Sequence, residues 1–330
     1  MQNRYKIAIV GATGLVGRTV LRVLEEKNFR NCTYTLFSSA KSAGTKIKFL
    51  EQNYIIQELK DNSFDFKFDF AIFCAGGEVS KKFAPIAAST GCIVIDNSSI
   101  FRMNENVPLI IPEVNPEKIQ ENKGIIANPN CSTIQAVVAL KPLDDKYNIK
   151  RIIYSTYQAV SGAGKAGIED LENGIKNIPP KKFPYPIFNN CLPHIDTFTS
   201  DGYTKEEHKM IDETRKILNK PSLPITATCV RVPVENCHSE SINVEFENDI
   251  DIYDIKILLQ NSPGIMLVDD IEKSYYPIAT KANGYDDVFV GRIRRDFSVN
   301  NGINIWVVAD NLRKGAASNA VQILEYLISS

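Results

Sequence analysis

Between Lys6 and Lys27 a short apolar run, KIAIV, passes through Gly11-Ala12-Thr13-Gly14-Leu15-Val16-Gly17 into the helix-patterned RTVLRVLEEK. No other feature narrows the possible folds so far. Apolar residues from Ile7 to Val10, without alternation, read as a strand buried on both faces. Val20, Leu21 and Leu24 recur at the spacing of one helix face. Glycines between the two permit a tight turn, let backbone N–H groups approach a phosphate and allow close helix–strand packing. The helix N-terminus adds partial positive charge for a pyrophosphate. The spacing GxxGxxG is one residue off the commoner dinucleotide fingerprint. A glycine-rich turn without a ligand is the alternative that the loop by itself leaves open.

The alternation continues through Thr33–Phe37, Phe68–Cys74 and Gly91–Ile95, which predicts a Rossmann-type, doubly wound parallel sheet. Beyond about residue 128 the strands lengthen: Arg151–Gln158, Ala227–Val234, Ser241–Glu247, Val288–Asp296 and Ile303–Ala309, with a helix over Lys205–Leu218. That pattern predicts an α+β domain with a largely antiparallel sheet. The closing Arg313–Ile328 is amphipathic through Ala317, Val321, Leu324 and Leu327, and is expected to pack back on the first domain. The fold class is therefore α/β in two domains, 1–127 completed by 312–330, and 128–311.

A chain of 330 residues is long enough for two such cores. Lysine and arginine total 38 against 39 acidic residues, so no global field favours nucleic acid or an anionic membrane. No apolar run reaches the length of a membrane span, and the chain enters its first strand at once, so a cytoplasmic protein is expected. The seven cysteines stand singly, with no CxxC pair, and the three histidines are dispersed. Reduced thiols are expected, with neither a disulfide framework nor a metal site.

Two segments carry chemistry. An NAD-binding domain usually ends its second strand with an acid for the ribose 2′-hydroxyl. Here Leu36-Phe37 runs into Ser38-Ser39-Ala40-Lys41-Ser42, whose hydroxyls and lysine suit a 2′-phosphate, so NADP is the expected cofactor. A merely solvated Lys41 is the competing reading. Asn128-Pro129-Asn130-Cys131-Ser132-Thr133 precedes the apolar Ile134–Leu140, which places Cys131 in the first turn of a helix, where the dipole favours a thiolate. The remaining cysteines mostly sit in apolar strands, as small hydrophobes do. His238 follows an extended run from Arg231 to Asn236, at the start of another strand. A lone histidine is more often structural than catalytic, and its distance from Cys131 cannot be derived from spacing.

With GATGLVG, SSAKSAG, VIDNSSIFRM, PEVNP, ANPNCST, YQAVSGAG, EEHK, VRVPVENCHSE and ADNLRKGAA in this order, the chain resembles the aspartate-semialdehyde dehydrogenases, closest to their shorter bacterial branch. The resemblance implies NADPH-dependent reductive dephosphorylation of aspartyl-4-phosphate to the semialdehyde, in lysine, threonine, methionine and isoleucine biosynthesis. It makes 1–127 the NADP domain and 128–311 the catalytic and dimerisation domain, in a homodimer or homotetramer. It makes Cys131 the nucleophile, His238 the general acid/base and Gln158 the group that orients the acyl carbon. Arg231 would clamp the substrate carboxylate, Glu207 would meet its ammonium and Asn130 would join the substrate site. Arg102 and Lys209 would converge on phosphate. Gly11, Thr13, Gly14, Leu15, Val16, Ser39, Lys41, Ser42, Ser161, Gly162 and Asn311 would contact NADP.

One departure is Cys237, where this branch commonly has glycine, and a packing adjustment is favoured over a redox switch. The rivals are an N-acetyl-glutamyl-phosphate reductase, whose substrate nitrogen carries no charge for Glu207 to meet, and a non-catalytic NADP-binding regulator.

Overall fold

The computed structural model describes residues 5–329. The chain divides into two compact units, one running to Pro129 and resuming at Ala316, the other Asn130–Gly315. The first contains β1 (Tyr5–Val10), α1 (Leu15–Glu26), β2 (Cys32–Ser38), the hairpin β3 (Lys46–Phe49) and β4 (Gln52–Ile55), β5 (Gln57–Glu58), β6 (Phe70–Phe73), α2 (Gly77–Ser89), β7 (Ile93–Asp96) and β8 (Ile125–Ala127). Its sheet runs β5-β2-β1-β6-β7-β8, and every pairing is parallel. The order reverses between β1 and β6, the place where doubly wound sheets bind ligands.

Both faces of this sheet are covered, which is why KIAIV does not alternate. Ile7 and Ile9 belong to one buried cluster, Ala8 and Val10 to the other. The C-terminal helix (Ser318–Ser329) completes the first cluster through Ala320, Val321, Ile323 and Leu324, as its amphipathic pattern predicts. Burying each large side chain contributes roughly 1.5–3 kcal/mol. The helix packs on α1 and β7.

The second unit contains α3 (Cys131–Tyr147), β9 (Ile149–Gln158), α4 (Lys165–Ile175), α5 (Lys205–Ile217), β10 (Ile225–Arg231), β11 (His238–Phe246), α6 (Ile252–Gln260), β12 (Ile265–Leu267), α7 (Ala279–Ala282), β13 (Val288–Asp296) and β14 (Gly302–Ala309). Its sheet runs β10-β9-β11-β14-β13-β12. The three central pairings are antiparallel and the two outer ones parallel.

The strand expected over Ala227–Val234 stops earlier. Arg231 is its last residue, Val232 still donates its N–H to the Gln158 carbonyl (3.0 Å), and Pro233 has no N–H with which to continue. The run from Val232 to Asn236 is a loop, and pairing resumes at His238.

Candidate active site

Gln158, Arg231 and His238 share one sheet end because their strands terminate side by side. Register pairs Gln158 of β9 with Arg231 of β10, and Tyr157 with Ser239 of β11, so His238 lies one step beyond. Side chains alternate along a strand, and Arg231, Gln158 and His238 all fall on the buried face. One row behind them on that face stand Cys229, Thr156 and Glu240.

The N-terminus of α3 and the first turn of α5 belong to the same assembly. Asn130 caps α3, its side-chain oxygen accepting the N–H groups of Ser132 and Thr133, which leaves Cys131 as the first helical residue. The Asn130 amide donates to Glu206 Oε1 (2.9 Å), as does Gln158 Nε2 (3.0 Å), while Lys209 Nζ lies 3.0 Å from Glu206 Oε2 and 2.7 Å from Asp196. Burial alone would push the Glu206 carboxyl up. The Lys209 charge and hydrogen bonds from Gln158, Asn130 and Lys209 outweigh it and hold the group down at about 2. Glu206 is thus a buried, permanently charged carboxylate whose field reaches both Arg231 and His238.

Arg231 supplies the opposite charge. Its guanidinium, buried and within the electrostatic reach of Cys131, donates one hydrogen bond among the described residues, Nη1 to the Ala159 carbonyl at 2.6 Å. With five N–H donors in a planar fork, it retains the capacity to grip a carboxylate.

His238 is completely buried, and Nδ1 accepts the Ala159 N–H at 2.9 Å. A neutral ring that accepts at Nδ1 carries its proton at Nε2. Nε2 is buried without a partner among the described residues. Burial, then the Arg231 cation, lower the ring's pKa to about 3 against the opposing pull of Glu206, so the imidazole is neutral at physiological pH. Gly162 is what makes room for this arrangement: a Cβ there would stand 2.9 Å from Arg231 Nη1 and 3.2 Å from His238 Nε2. Ser161 and Asn311 hydrogen-bond each other, and the Asn311 oxygen also accepts the Cys237 N–H (2.9 Å), which anchors the residue before His238.

Cys237 has φ +73, a left-handed conformation that glycine adopts freely, and its side chain is buried with Val268, Ala282, Phe289 and Val308. Burial pushes its thiol well up, as it does for Cys74 and Cys229, and Cys92 reaches about 12. These thiols are small hydrophobes. The packing reading of Cys237 agrees with this; a redox role does not.

In the first unit, the loop after β1 has the shape a dinucleotide needs. Gly11 has φ +83, and a Cβ there would fall 2.7 Å from the carbonyl carbon of Cys74 at the end of β6. A Cβ on Gly17 would be 2.2 Å from the Gly11 oxygen, so α1 sits hard against the turn. Thr13 and Ser38 hydrogen-bond at 2.7 Å, tying the glycine loop to the end of β2. Ser39 and Lys41 are exposed in a turn closed by the Ser42 N–H on the Ser39 carbonyl, with no carboxylate from Ser38 to Ser42. Arg102, also in this unit, donates from Nε to Asn128 O and from Nη2 to Asn97 O, both at 2.9 Å.

One assignment is corrected. Glu207 does not face the site: its Oε2 accepts the Thr204 N–H (2.7 Å) in a capping box, and its Oε1 accepts the Cys229 N–H (3.0 Å). Both oxygens are committed to structure, and the neighbouring Glu206 holds the position expected of Glu207. The signal was legible in Thr204-x-x-Glu207, a capping-box spacing that claims Glu207 for the helix end. Glu206 and Lys209, three apart, share a helix face.

A glycine-cradled parallel sheet, and a second domain that gathers an arginine, a buried carboxylate and a neutral histidine with a helix-terminal cysteine within the arginine's field, define a dinucleotide-dependent oxidoreductase class. Family models described as "Semialdehyde dehydrogenase, NAD binding domain" and "Semialdehyde dehydrogenase, dimerisation domain" match residues 6–122 and 140–314. The chain is 53% identical to aspartate-semialdehyde dehydrogenase of Aquifex aeolicus, over 98% of each chain. It is 49% identical to that of Bacillus subtilis, over 97% of this chain and 96% of the relative. The crystal structure of aspartate semialdehyde dehydrogenase II from Vibrio cholerae, complexed with ASA, superposes with a TM-score of 0.95 at 47% identity, covering 100% of this chain and 99% of that one. The chain belongs to the aspartate-semialdehyde dehydrogenase family of oxidoreductases.

Proposed function

We propose that the protein catalyses the reversible, NADPH-dependent reductive dephosphorylation of L-aspartyl-4-phosphate to L-aspartate-4-semialdehyde, with Cys131 carrying the acyl group. One observation carries this reading: a buried carboxylate, Glu206, and a buried guanidinium with spare donors, Arg231, whose fields both act on the residues around Cys131. An α-amino acid presents the complementary pair, an ammonium and a carboxylate. An N-acylated substrate would bring no ammonium to Glu206, and a non-catalytic regulator has no use for these buried charges beside a thiol.

The Cys131 thiolate, favoured by the helix terminus and the Arg231 cation, attacks the acyl carbon and phosphate leaves. Gln158, fixed by Glu206 and by a bond from Thr156 Oγ1 to its Oε1 (3.0 Å), orients the acyl group, and Asn130 holds the same carboxylate from the helix side. His238 Nε2–H faces the reacting oxygen and stabilises the charge that develops there. This is the donor half of an acid/base role; taking up a proton at Nε2 requires the ring to release the Ala159 N–H. A substrate carboxylate on Arg231 offsets the cation that depresses the ring's basicity, so binding prepares His238 for proton transfer.

Gly11, Thr13, Gly14, Leu15, Val16, Ser39, Lys41 and Ser42 would hold NADP on the first domain, 1–127 with 312–330, and Ser161, Gly162 and Asn311 on the second, 128–311. The cofactor supplies the hydride. Arg102 and Lys209 would bind the phosphate. The far face of the second sheet exposes Tyr157, Tyr276 and Ile278, and there a second copy would complete a homodimer, from which a tetramer could be built. No helix among the described residues is long and apolar enough to cross a membrane. The reaction would serve lysine, threonine, methionine and isoleucine synthesis in the cytoplasm.

The test is Cys131→Ala. The wild type should reduce NADP in the presence of aspartate semialdehyde and phosphate, and the variant should lose that activity. Retained phosphate-dependent turnover would sink the thioester mechanism.

A further inference from the structure

The proline-rich segment Ile178–Ile187 takes no part in the reaction described above, yet the fold organises it with unusual care. Four prolines (Pro179, Pro180, Pro184 and Pro186) remove the N–H groups a helix or strand would use. Of the amides that remain, three consecutive ones converge on a single carboxylate. Lys181 N donates to Asp170 Oδ1 at 2.8 Å, while Lys182 N and Phe183 N donate to Oδ2 at 2.7 and 2.9 Å. Asp170 lies on α4 and is 2% exposed, a burial that a carboxylate tolerates only with such partners.

The knot sets the position of one ring. Phe183 lies against Gly167 of α4, where a Cβ would come 3.3 Å from its Cζ, and its ring centre is 5.9 Å from the guanidinium carbon of Arg231. Further along, Ile187 is buried with Val160 and Leu192. Leu192 and Arg231 then exchange backbone hydrogen bonds, N to O at 2.9 and 2.8 Å. The stretch from Ile178 to Leu192 therefore bears on the same arginine twice, at the guanidinium through Phe183 and at the backbone through Leu192.

We propose that Asp170 is a positioning residue for recognition of the substrate carboxylate: by knotting the proline-rich segment it seats the Phe183 ring against the Arg231 guanidinium. The ring removes water from one side of the cation and limits its swing, so a carboxylate meets a fork already in place. The inference rests on the assignment of Arg231 to the substrate carboxylate made above.

Steady-state kinetics with aspartate semialdehyde, phosphate and NADP test it. Asp170→Asn places an amide NH2 among backbone N–H donors and breaks the knot. Phe183→Ala removes the ring and leaves the knot. Each should raise KM for the semialdehyde about tenfold, with kcat within about threefold and KM for phosphate unchanged, the pattern of lost uniform binding. Phe183→Tyr should restore the wild-type KM, and the double variant should be no worse than Phe183→Ala alone, because both changes act through one ring. If Asp170→Asn does not fold, Phe183→Ala and Phe183→Tyr decide alone. An unchanged KM in Phe183→Ala overturns the proposal, as does a loss confined to kcat. Arg231→Lys separates the two readings. Should it keep the wild-type KM, the carboxylate assignment falls and this inference with it; should it raise KM while Phe183→Ala does not, only this inference falls.

Discussion

Neutralising Glu206 and Glu207 in turn separates two adjacent carboxylates with different partners. Glu206 is 4% exposed and held at about 2 from an ordinary 4.5, mostly against its own burial by Lys209 and by bonds from Gln158, Asn130 and Lys209. That displacement corresponds to roughly 3 kcal/mol of preference for the charged form. A substrate ammonium facing the neutral amide of E206Q loses an attraction of the same order, and about 3 kcal/mol is a factor of about 100 in binding. The expected result is a fall of about 100-fold in kcat/KM for aspartate semialdehyde, measured as NADPH formation in the presence of phosphate.

Glu207 behaves differently. Its oxygens accept the Thr204 and Cys229 N–H groups, and an amide can keep only one of the two bonds. E207Q should cost about 1–3 kcal/mol in denaturant unfolding and leave kcat/KM within about threefold. The pH dependence has a definite sign for Glu206. Because its folded pKa is depressed, its contribution to stability is complete above pH 4.5 and disappears as pH falls through about 2. E206Q should lack that acid-side loss. A reversed pattern, with E207Q crippling semialdehyde binding and E206Q sparing it, would refute the assignment.

Two further predictions concern groups packed around the site. Glu240 is completely buried with neither carboxyl oxygen partnered among the described residues, and burial, then the Glu206 charge, raise its pKa well above 4.5. The unfolded chain therefore gives up this proton first, and stability falls as pH rises from 4.5 toward the folded value. E240Q removes that loss: it should be at least as stable as the wild type at pH 8, with the advantage shrinking toward pH 4.5, and a wild type that gains on the variant with rising pH would contradict a neutral Glu240. At Cys237, with φ +73, a left-handed backbone costs any residue with a Cβ about 1–2 kcal/mol. C237G should accordingly be more stable than C237A by about 1 kcal/mol in thermal or denaturant unfolding, despite the smaller side chain. The opposite order would show that the backbone there is unstrained.

Features that depend on neighbours along the chain can be read from the residues alone. Hydrophobic period and glycine spacing set β1, the loop and α1; the absence of an acid after Phe37 set the cofactor preference; Pro129 and Asn130 set the helix start at Cys131. The capping box at Thr204, which claims Glu207 for the helix end, is equally local. Less was legible where a local rule is broken. The β3–β4 hairpin turns at Leu50 and Glu51, both at positive φ (47 and 64), without the Asn or Gly that normally marks such a turn.

Which polar groups share one dielectric follows from packing in three dimensions. Strand register puts Arg231, Gln158 and His238 in a row, and helix packing brings Glu206 and Asn130 onto it. Charge state and tautomer follow from burial and from hydrogen bonds across dozens of residues, and the knot at Asp170 from bonds across 11 to 13. Such interactions leave no periodic trace, because their energies depend on distance in space and on the exclusion of water rather than on separation along the chain.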